Sequence, residues 1–230
     1  MPKAIVLSSG GLDSTTCLAI AVDKLGAENV SALSIFYGQR HAKELEAARK
    51  VANFYKVAHY EFDAAEIFRN SNSALLSSST EPLEKSSYAA QMTKNCSPRI
   101  NTYVPFRNGL MLAMAASFAD GLYEDPRVEI YIGVHSDDAV VNAYADCGVN
   151  FIAAMSAAIR IGTYEKIRVV APFLSQTKAY VVKVGLELKV PYELTWSCYA
   201  GGDKPCGQCA TCRDRAAAFA ANGIEDPALT

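Results

Sequence analysis

The sequence contains no apolar run approaching the roughly 20 residues that a bilayer-spanning helix needs, which excludes a helical membrane protein. The strand-like run Ala4-Ile5-Val6-Leu7 is not preceded by a charged segment, a long apolar stretch and a small-residue cleavage site, so a cytoplasmic location is expected. Positive charge is scarce as well. A formal net charge of −2 argues against the broad basic surface that nucleic-acid binding rests on, so no direct nucleic-acid partner is expected and any phosphate site must be local. There is no G-x-x-x-x-G-K-[ST] and no G-x-G-x-x-G, which sets aside kinase-type phosphate loops and the dinucleotide fingerprint. Internal repeats and heptads are missing too. What remains is a chain of 230 residues, half apolar and one fifth charged, long enough for one core-bearing domain with a short appendage. Cysteine is plentiful by comparison. Of seven, four crowd between 198 and 212, a density that points to metal binding rather than disulfides where no export signal is seen; the others are Cys17, Cys96 and Cys147.

The first third alternates between strand-like and helix-like patterns: strand at 3–8, helix near 14–25, strand near 30–36, helix near 41–55, strand near 57–62. Later strands are expected at 128–134 and 167–171, with helices near 106–120, 149–160 and 176–189. This order predicts an α/β fold with a doubly wound, mostly parallel sheet and helices on both faces. Residues 70–100, rich in Ser, Asn and Thr with two prolines, read as a long mobile connection of the kind that forms lids. The expected division is an α/β domain over 1–195 and a small zinc-binding helical tail over 196–230.

Ser8 to Thr15 fall where a strand ends and a helix begins, where backbone N–H groups and the helix dipole converge on an anion. Gly10 and Gly11 bring backbone amides close to a ligand, and Ser9, Ser14 and Thr15 add hydroxyl donors. Asp13 is the odd member, since a carboxylate beside phosphates requires either an intervening cation such as Mg²⁺ or a role in fastening the loop. The plain alternative is a Gly-rich turn whose Asp and Ser only cap the helix. Cys198, Cys206, Cys209 and Cys212 form C-x₇-C-x₂-C-x₂-C, a four-thiolate set suited to a closed, tetrahedral, structural zinc site, with an iron–sulfur cluster as the competing occupant.

The hexapeptide Ser9-Gly10-Gly11-Leu12-Asp13-Ser14 resembles the S-G-G-x-D-S signature of the ATP-pyrophosphatase superfamily. Four further segments resemble the 7-cyano-7-deazaguanine synthase family: Tyr37-Gly38-Gln39-Arg40-His41, Tyr103-Val104-Pro105-Phe106-Arg107-Asn108, Tyr144-Ala145-Asp146-Cys147, and the tail from Glu193-Leu194-Thr195-Trp196-Ser197-Cys198-Tyr199. The resemblance implies an adenine nucleotide alpha hydrolase-like fold and cleavage of ATP, with Mg²⁺, between its α and β phosphates. It implies 7-carboxy-7-deazaguanine, ammonia and ATP as small-molecule partners, a nitrile product reached through an amide, a structural zinc on the four cysteines, and a homodimer. Carried onto this chain, ATP binding is expected at Ser8, Ser9, Gly10, Gly11, Leu12, Asp13, Ser14, Thr15, Thr16, Cys17 and Leu18. Catalysis is expected at Asp13, Ser14 and Lys178, and substrate binding at Arg40, His41, Arg107, Asn108, Tyr144 and Asp146. Asp146 is read as an acceptor for a guanine-like amino edge.

The chain departs from the family pattern between His135 and Phe151, where about two residues are inserted and the usual Pro, Arg and Glu are missing. Phe106 also stands where a small residue is usual, adding bulk near the expected crevice. Both departures leave open a diverged relative that stops at the amide or joins the adenylated acid to another amine.

Overall fold

In the computed structural model, residues 2–84, 100–124, 127–139 and 143–229 are described. Five strands, β1 (Lys3–Leu7), β2 (Val30–Phe36), β3 (Ala58–Asp63), β4 (Val128–Tyr131) and β5 (Ile167–Val170), form a sheet in the order β3-β2-β1-β4-β5, every pair parallel. Alternation along β1 assigns its side chains to two cores. Ile5 and Leu7 face one side, packed with Leu33, Ile130, Leu112 and Ile152; Ala4 and Val6 face the other, packed with Leu18, Val51, Val181 and Phe219. A central strand buried on both faces is what an all-parallel sheet requires. Fully buried residues such as Ile5 and Ile130 each contribute about 2 kcal/mol through burial alone.

Helices α1 (Leu12–Leu25), α2 (Lys43–Tyr55), α5 (Lys178–Glu187) and α6 (Ala210–Ala220) supply the side of Ala4 and Val6. Helices α3 (Arg107–Leu122) and α4 (Val149–Gly162) supply the side of Ile5 and Leu7. The doubly wound reading is thereby met, with element boundaries within about three residues of the predicted ones. Strand order reverses between β1 and β4, so their carboxyl ends part and leave a crevice, the general ligand position in open α/β sheets.

Over residues 70–84 the expected connection holds no helix or strand, but it is anchored to the domain. Ala74, Leu75 and Leu76 are buried in the core, and Leu76 forms an antiparallel bridge to Gln39, because this stretch covers the apolar end of β2. Residues 85–99 of that expected lid, Cys96 among them, lie outside the described residues, as do residues 140–142 of the altered loop.

The segment from residue 196 onward shares the main core. Phe219 is fully buried and meets the Tyr192 ring edge-on at 5.2 Å. Arg215, 3% exposed, pairs with Asp226 through Nε–Oδ2 at 2.7 Å and Nη2–Oδ1 at 2.9 Å. It also donates to Thr195 Oγ1, Ser197 Oγ and Tyr192 O, so one guanidinium holds the entry to the tail and its far end together.

Candidate active site

The loop after β1 is fastened largely by its own atoms. Ser9 N–H donates to Ser14 Oγ at 3.2 Å, Gly11 N–H to Ser9 Oγ at 3.2 Å, and Ser14 Oγ–H to Gly11 O at 3.2 Å. Gly11 sits at the N-cap of α1 with no side-chain cap, which leaves that helix start open toward an anion. Gly10 has φ +78°, and a Cβ there would lie 2.2 Å from Glu44 O and 2.5 Å from Ala48 N. Only glycine lets the loop lie against α2 in this way. Gly133, just past β4, is under similar constraint: a Cβ would meet Asp13 C and Ser14 N at 2.9 Å. Sheet and helix thus hold the loop from both sides.

Asp13 and Lys178, 165 residues apart in sequence, meet at Oδ2–Nζ 3.0 Å. His135 lies beside both, with Nε2 3.3 Å from Lys178 Nζ and 3.7 Å from Asp13 Oδ1. Burial alone would raise the Asp13 carboxyl, but Lys178 above all, then His135 and Arg215, outweigh it and hold the group below the usual carboxylate range. Lys178 owes its place to α5: Thr177 caps that helix by accepting from Tyr180 N–H, and Lys178 N–H donates to Asp137 Oδ2 at 2.8 Å. Asp214, on α6, also lines the cavity, and burial pushes its carboxyl up.

A cavity of about 220 Å³ runs from this cluster along the carboxyl end of the sheet. Its floor is apolar, from Leu33, Ile35, Met111, Ile132 and Val134, and three rings, Tyr37, Tyr144 and Tyr199, stand around it. Arg107, at the start of α3, has its guanidinium 5.1 Å from the centre of the Tyr37 ring and Nη1 3.3 Å from Tyr37 Oη. Asn108 Nδ2 donates to Asp146 O at 3.1 Å and lies 3.2 Å from Cys147 Sγ, while Tyr144 Oη is 2.9 Å from Thr102 Oγ1. A polyanion site and a ring-lined pocket therefore share one cavity.

Of the residues singled out in the sequence, Ser8, Ser9, Gly11, Asp13, Ser14, Lys178, Arg107, Asn108 and Tyr144 line this cavity. Several others do not. Thr16, Cys17 and Leu18 are fully buried in the core beneath α1: Thr16 Oγ1 donates to Leu12 O and meets Tyr192 Oη at 2.8 Å, and burial pushes the Cys17 thiol up. Once the loop becomes helix, side chains turn away from the crevice with the helical period. The side chains of Leu12 and Thr15 are likewise fully buried. Arg40 is exposed and donates to the carbonyls of Ser79 and Glu81, so it braces the 70–84 segment outside the cavity. His41 faces Gly201 and, at 6.4 Å between ring centres, Trp196, so it supports the tail. Asp146 is buried and accepts from Asn108 N–H at 2.9 Å; its carboxylate caps α3 and does not line the cavity. Phe106 projects outward, 54% exposed, against Phe151, and adds no bulk to the cavity.

Sequence reading missed Glu44, Asp214, His135, Trp196 and Tyr199 as site residues. A signal for Glu44 did exist. It stands in register with Ala47, Ala48 and Val51 on the buried stripe of α2, whereas Asp214 sits at the exposed edge of α6 beside the cavity. A carboxylate on an apolar helical stripe marks a lined cavity.

The four cysteines from 198 to 212 bring their sulfurs within 4.8 Å of one another, close to the roughly 3.8 Å separation of a tetrahedral zinc–thiolate site. Cys198 Sγ accepts from Ala200 and Cys206 N–H, and Cys206 Sγ from Gln208 and Cys209 N–H, as suits thiolates that share a cation. The cluster can hold a metal ion. Its position couples it to the cavity through Trp196, whose N–H donates to Gly10 O at 2.9 Å and whose Nε1–H donates to Cys198 O at 2.8 Å.

A family model described as Queuosine biosynthesis protein QueC matches residues 3–223. The chain belongs to the QueC family. Among its relatives is a 7-cyano-7-deazaguanine synthase from Archaeoglobus fulgidus, 40% identical over 229 residues, 99% of this chain and 90% of the relative. A protein of the same name from Methanoculleus marisnigri is 40% identical over 230 residues, covering 99% and 98%. One from Oceanobacillus iheyensis is 36% identical over 227 residues, covering 98% and 96%. These QueC-family likenesses run through the phosphate loop, the cavity and the cysteine cluster alike. No helix among the described residues is long and apolar enough to cross a membrane.

Proposed function

We propose that this chain converts 7-carboxy-7-deazaguanine and ammonia to 7-cyano-7-deazaguanine, using two ATP molecules through an adenylated acid and an adenylated amide. The observation that carries the reading is the joining, in one cavity, of the Ser9–Ser14 loop and the Asp13–Lys178 pair with the ring-lined pocket of Arg107, Tyr37 and Tyr144. Its relatives, named 7-cyano-7-deazaguanine synthases, are named for the same nitrile product. The loop amides and Lys178 bind the triphosphate and neutralise the leaving pyrophosphate, while Arg107 orients the substrate carboxylate toward the α-phosphate. The tyrosines hold the flat heterocycle. Three buried loop oxygens, Ser8 Oγ, Asp13 Oδ1 and Thr15 Oγ1, have no hydrogen-bond partner among the described residues, and Asp13 Oδ1 is the one suited to Mg²⁺. Mg²⁺ supplies charge neutralisation between the phosphates. The four cysteines hold a structural zinc, whose closed thiolate set keeps no position for substrate.

The enzyme acts as a cytoplasmic homodimer. Helix α4 is apolar along most of its length yet buries only Ile152 and Ile159, leaving Val149 and Ile161 exposed and Phe151 against the exposed Phe106, a face suited to a second copy. The decisive assay incubates the zinc-loaded protein with ATP, Mg²⁺, ammonium and 7-carboxy-7-deazaguanine and identifies products by mass. AMP with the nitrile is expected. ADP contradicts the reading, and AMP with the amide alone assigns the chain to a diverged branch.

A further inference from the structure

Glu44 is a carboxylate inside the cavity that binding of ATP and acid leaves without a task. It projects from the first turn of α2 into the space shared by Tyr37, Gln39 and Arg107, directly behind the phosphate loop, whose Gly10 packs on the Glu44 carbonyl. Among the described residues its carboxylate accepts no hydrogen bond and forms no ion pair, although Arg107 is near enough to act on it. The facing groups are Tyr37 at the end of β2, Arg107 at the start of α3, and, around the rest of the cavity, Tyr144, Asp13, Lys178, Tyr199 and Asp214. Lys43 and Glu46 share its helix. Glu44 is half-buried, and a carboxylate kept there without a partner is costly to maintain; such a group in a cleft is characteristic of acid–base work.

The reaction needs such a group twice. Ammonium has no lone pair, so it must lose a proton before its nitrogen can attack the adenylated carboxyl carbon. Closing the nitrile also requires removal of an N–H proton. We propose that Glu44 binds the incoming ammonium and is the general base for both nitrogen steps, an inference that rests on the function proposed above. In the first step an ammonium N–H proton passes to the Glu44 carboxylate. The freed lone pair forms the C–N bond, the C–O bond to AMP breaks, AMP leaves with that electron pair, and the new amide sheds a second proton to solvent. In the second, Glu44 takes the N–H proton of the adenylated amide, the N–H electrons become the third C–N bond, and AMP leaves with the C–O pair. Between steps the proton returns to solvent through the open cavity. Burial pushes the Glu44 carboxyl up to about 7 against the pull of Arg107, which places it where a base can both accept and release a proton near neutrality.

The test compares wild type with Glu44→Gln, which keeps the shape of the side chain. Three rates are measured across pH: acid-dependent ATP–pyrophosphate exchange without ammonia, amide formation from ammonium, and hydroxamate formation from hydroxylamine, an amine already unprotonated at neutral pH. E44Q should keep exchange within about threefold and lose roughly 100-fold or more in amide formation, the usual yield of a general base. It should also lose the acid limb near 7 and recover most of the rate with hydroxylamine. Unchanged amide formation in E44Q overturns the assignment, and so does loss of exchange in step with aminolysis, which would make Glu44 part of ATP or acid binding. Absence of exchange in wild type with 7-carboxy-7-deazaguanine removes the substrate reading and this inference with it; intact wild-type exchange with a normal E44Q removes Glu44 alone.

Discussion

Replacing Arg215 by Met should be among the most damaging single changes outside the cavity. The guanidinium is 3% exposed and Asp226 is 6% exposed, and their two hydrogen bonds are joined by three more to Thr195, Ser197 and Tyr192. Removing one partner of a buried pair leaves an uncompensated charge at a cost of about 3–5 kcal/mol, whereas removing both partners for apolar groups is often close to neutral. R215M should therefore lower stability by about 4 kcal/mol, or roughly 8–16 °C in Tm for a chain of this size. Arg215→Met combined with Asp226→Leu should recover more than half of that. The double-mutant cycle is read by urea titration of the zinc-loaded protein at neutral pH, with thermal melts as a second probe. Because Thr195 and Ser197 flank Trp196, which bonds to Gly10 of the phosphate loop, R215M should also weaken ATP binding at temperatures where the fold persists. A single variant that loses less than about 1 kcal/mol, or a double variant as unstable as the single, would refute the reasoning.

Glu44→Gln should stabilise the fold selectively at high pH. The folded carboxyl titrates at about 7 against an ordinary 4.5, so the native state carries no penalty below pH 4.5, and the penalty grows through the window from 4.5 to 7. Above pH 7 the variant should gain up to about 3 kcal/mol over wild type, and at pH 4 nothing, as denaturant titrations at the two pH values will show. Gly10→Ala should abolish nucleotide binding and cost at least about 2 kcal/mol, since the left-handed backbone and the contact with Glu44 O leave no room for a methyl; calorimetry with ATP showing wild-type affinity would contradict this. Stripping the metal with a chelator should release one ion per chain, lower Tm and loosen the Trp196–Gly10 contact, visible as a change in tryptophan fluorescence. A metal-free protein with unchanged melting and fluorescence would remove the structural role.

Local pattern made much of this legible. Strand runs and helix periods along the first third marked the βαβ units, and Gly10-Gly11 between Leu7 and the α1 stripe marked the loop, because backbone geometry there depends on near neighbours in sequence. Side-chain destinations were less accessible. Asp146 looked available to a ligand, yet it caps a helix through the N–H of Asn108, 38 residues earlier. Arg40 and His41 stood beside the right strand, but the bridge from Gln39 to Leu76 and the packing of His41 on Gly201 turned them to other tasks. Lys178 meets Asp13 only because the fold brings the start of α5 to the start of α1, a pairing across 165 residues that no local pattern encodes. Family resemblance carried the expectation at Lys178, which the fold joins to Asp13. It misplaced the side chains of Thr16, Cys17 and Leu18, because a nucleotide-binding segment need not contribute every side chain to the nucleotide.

The central claim is that this cavity activates the deazaguanine acid by transferring an adenylyl group to the substrate oxygen. It is tested most directly by supplying 7-carboxy-7-deazaguanine labelled with ¹⁸O at both carboxyl oxygens and weighing the nucleotide products. The account predicts two AMP molecules per nitrile, each carrying one ¹⁸O. Unlabelled AMP, or ADP in its place, would contradict it.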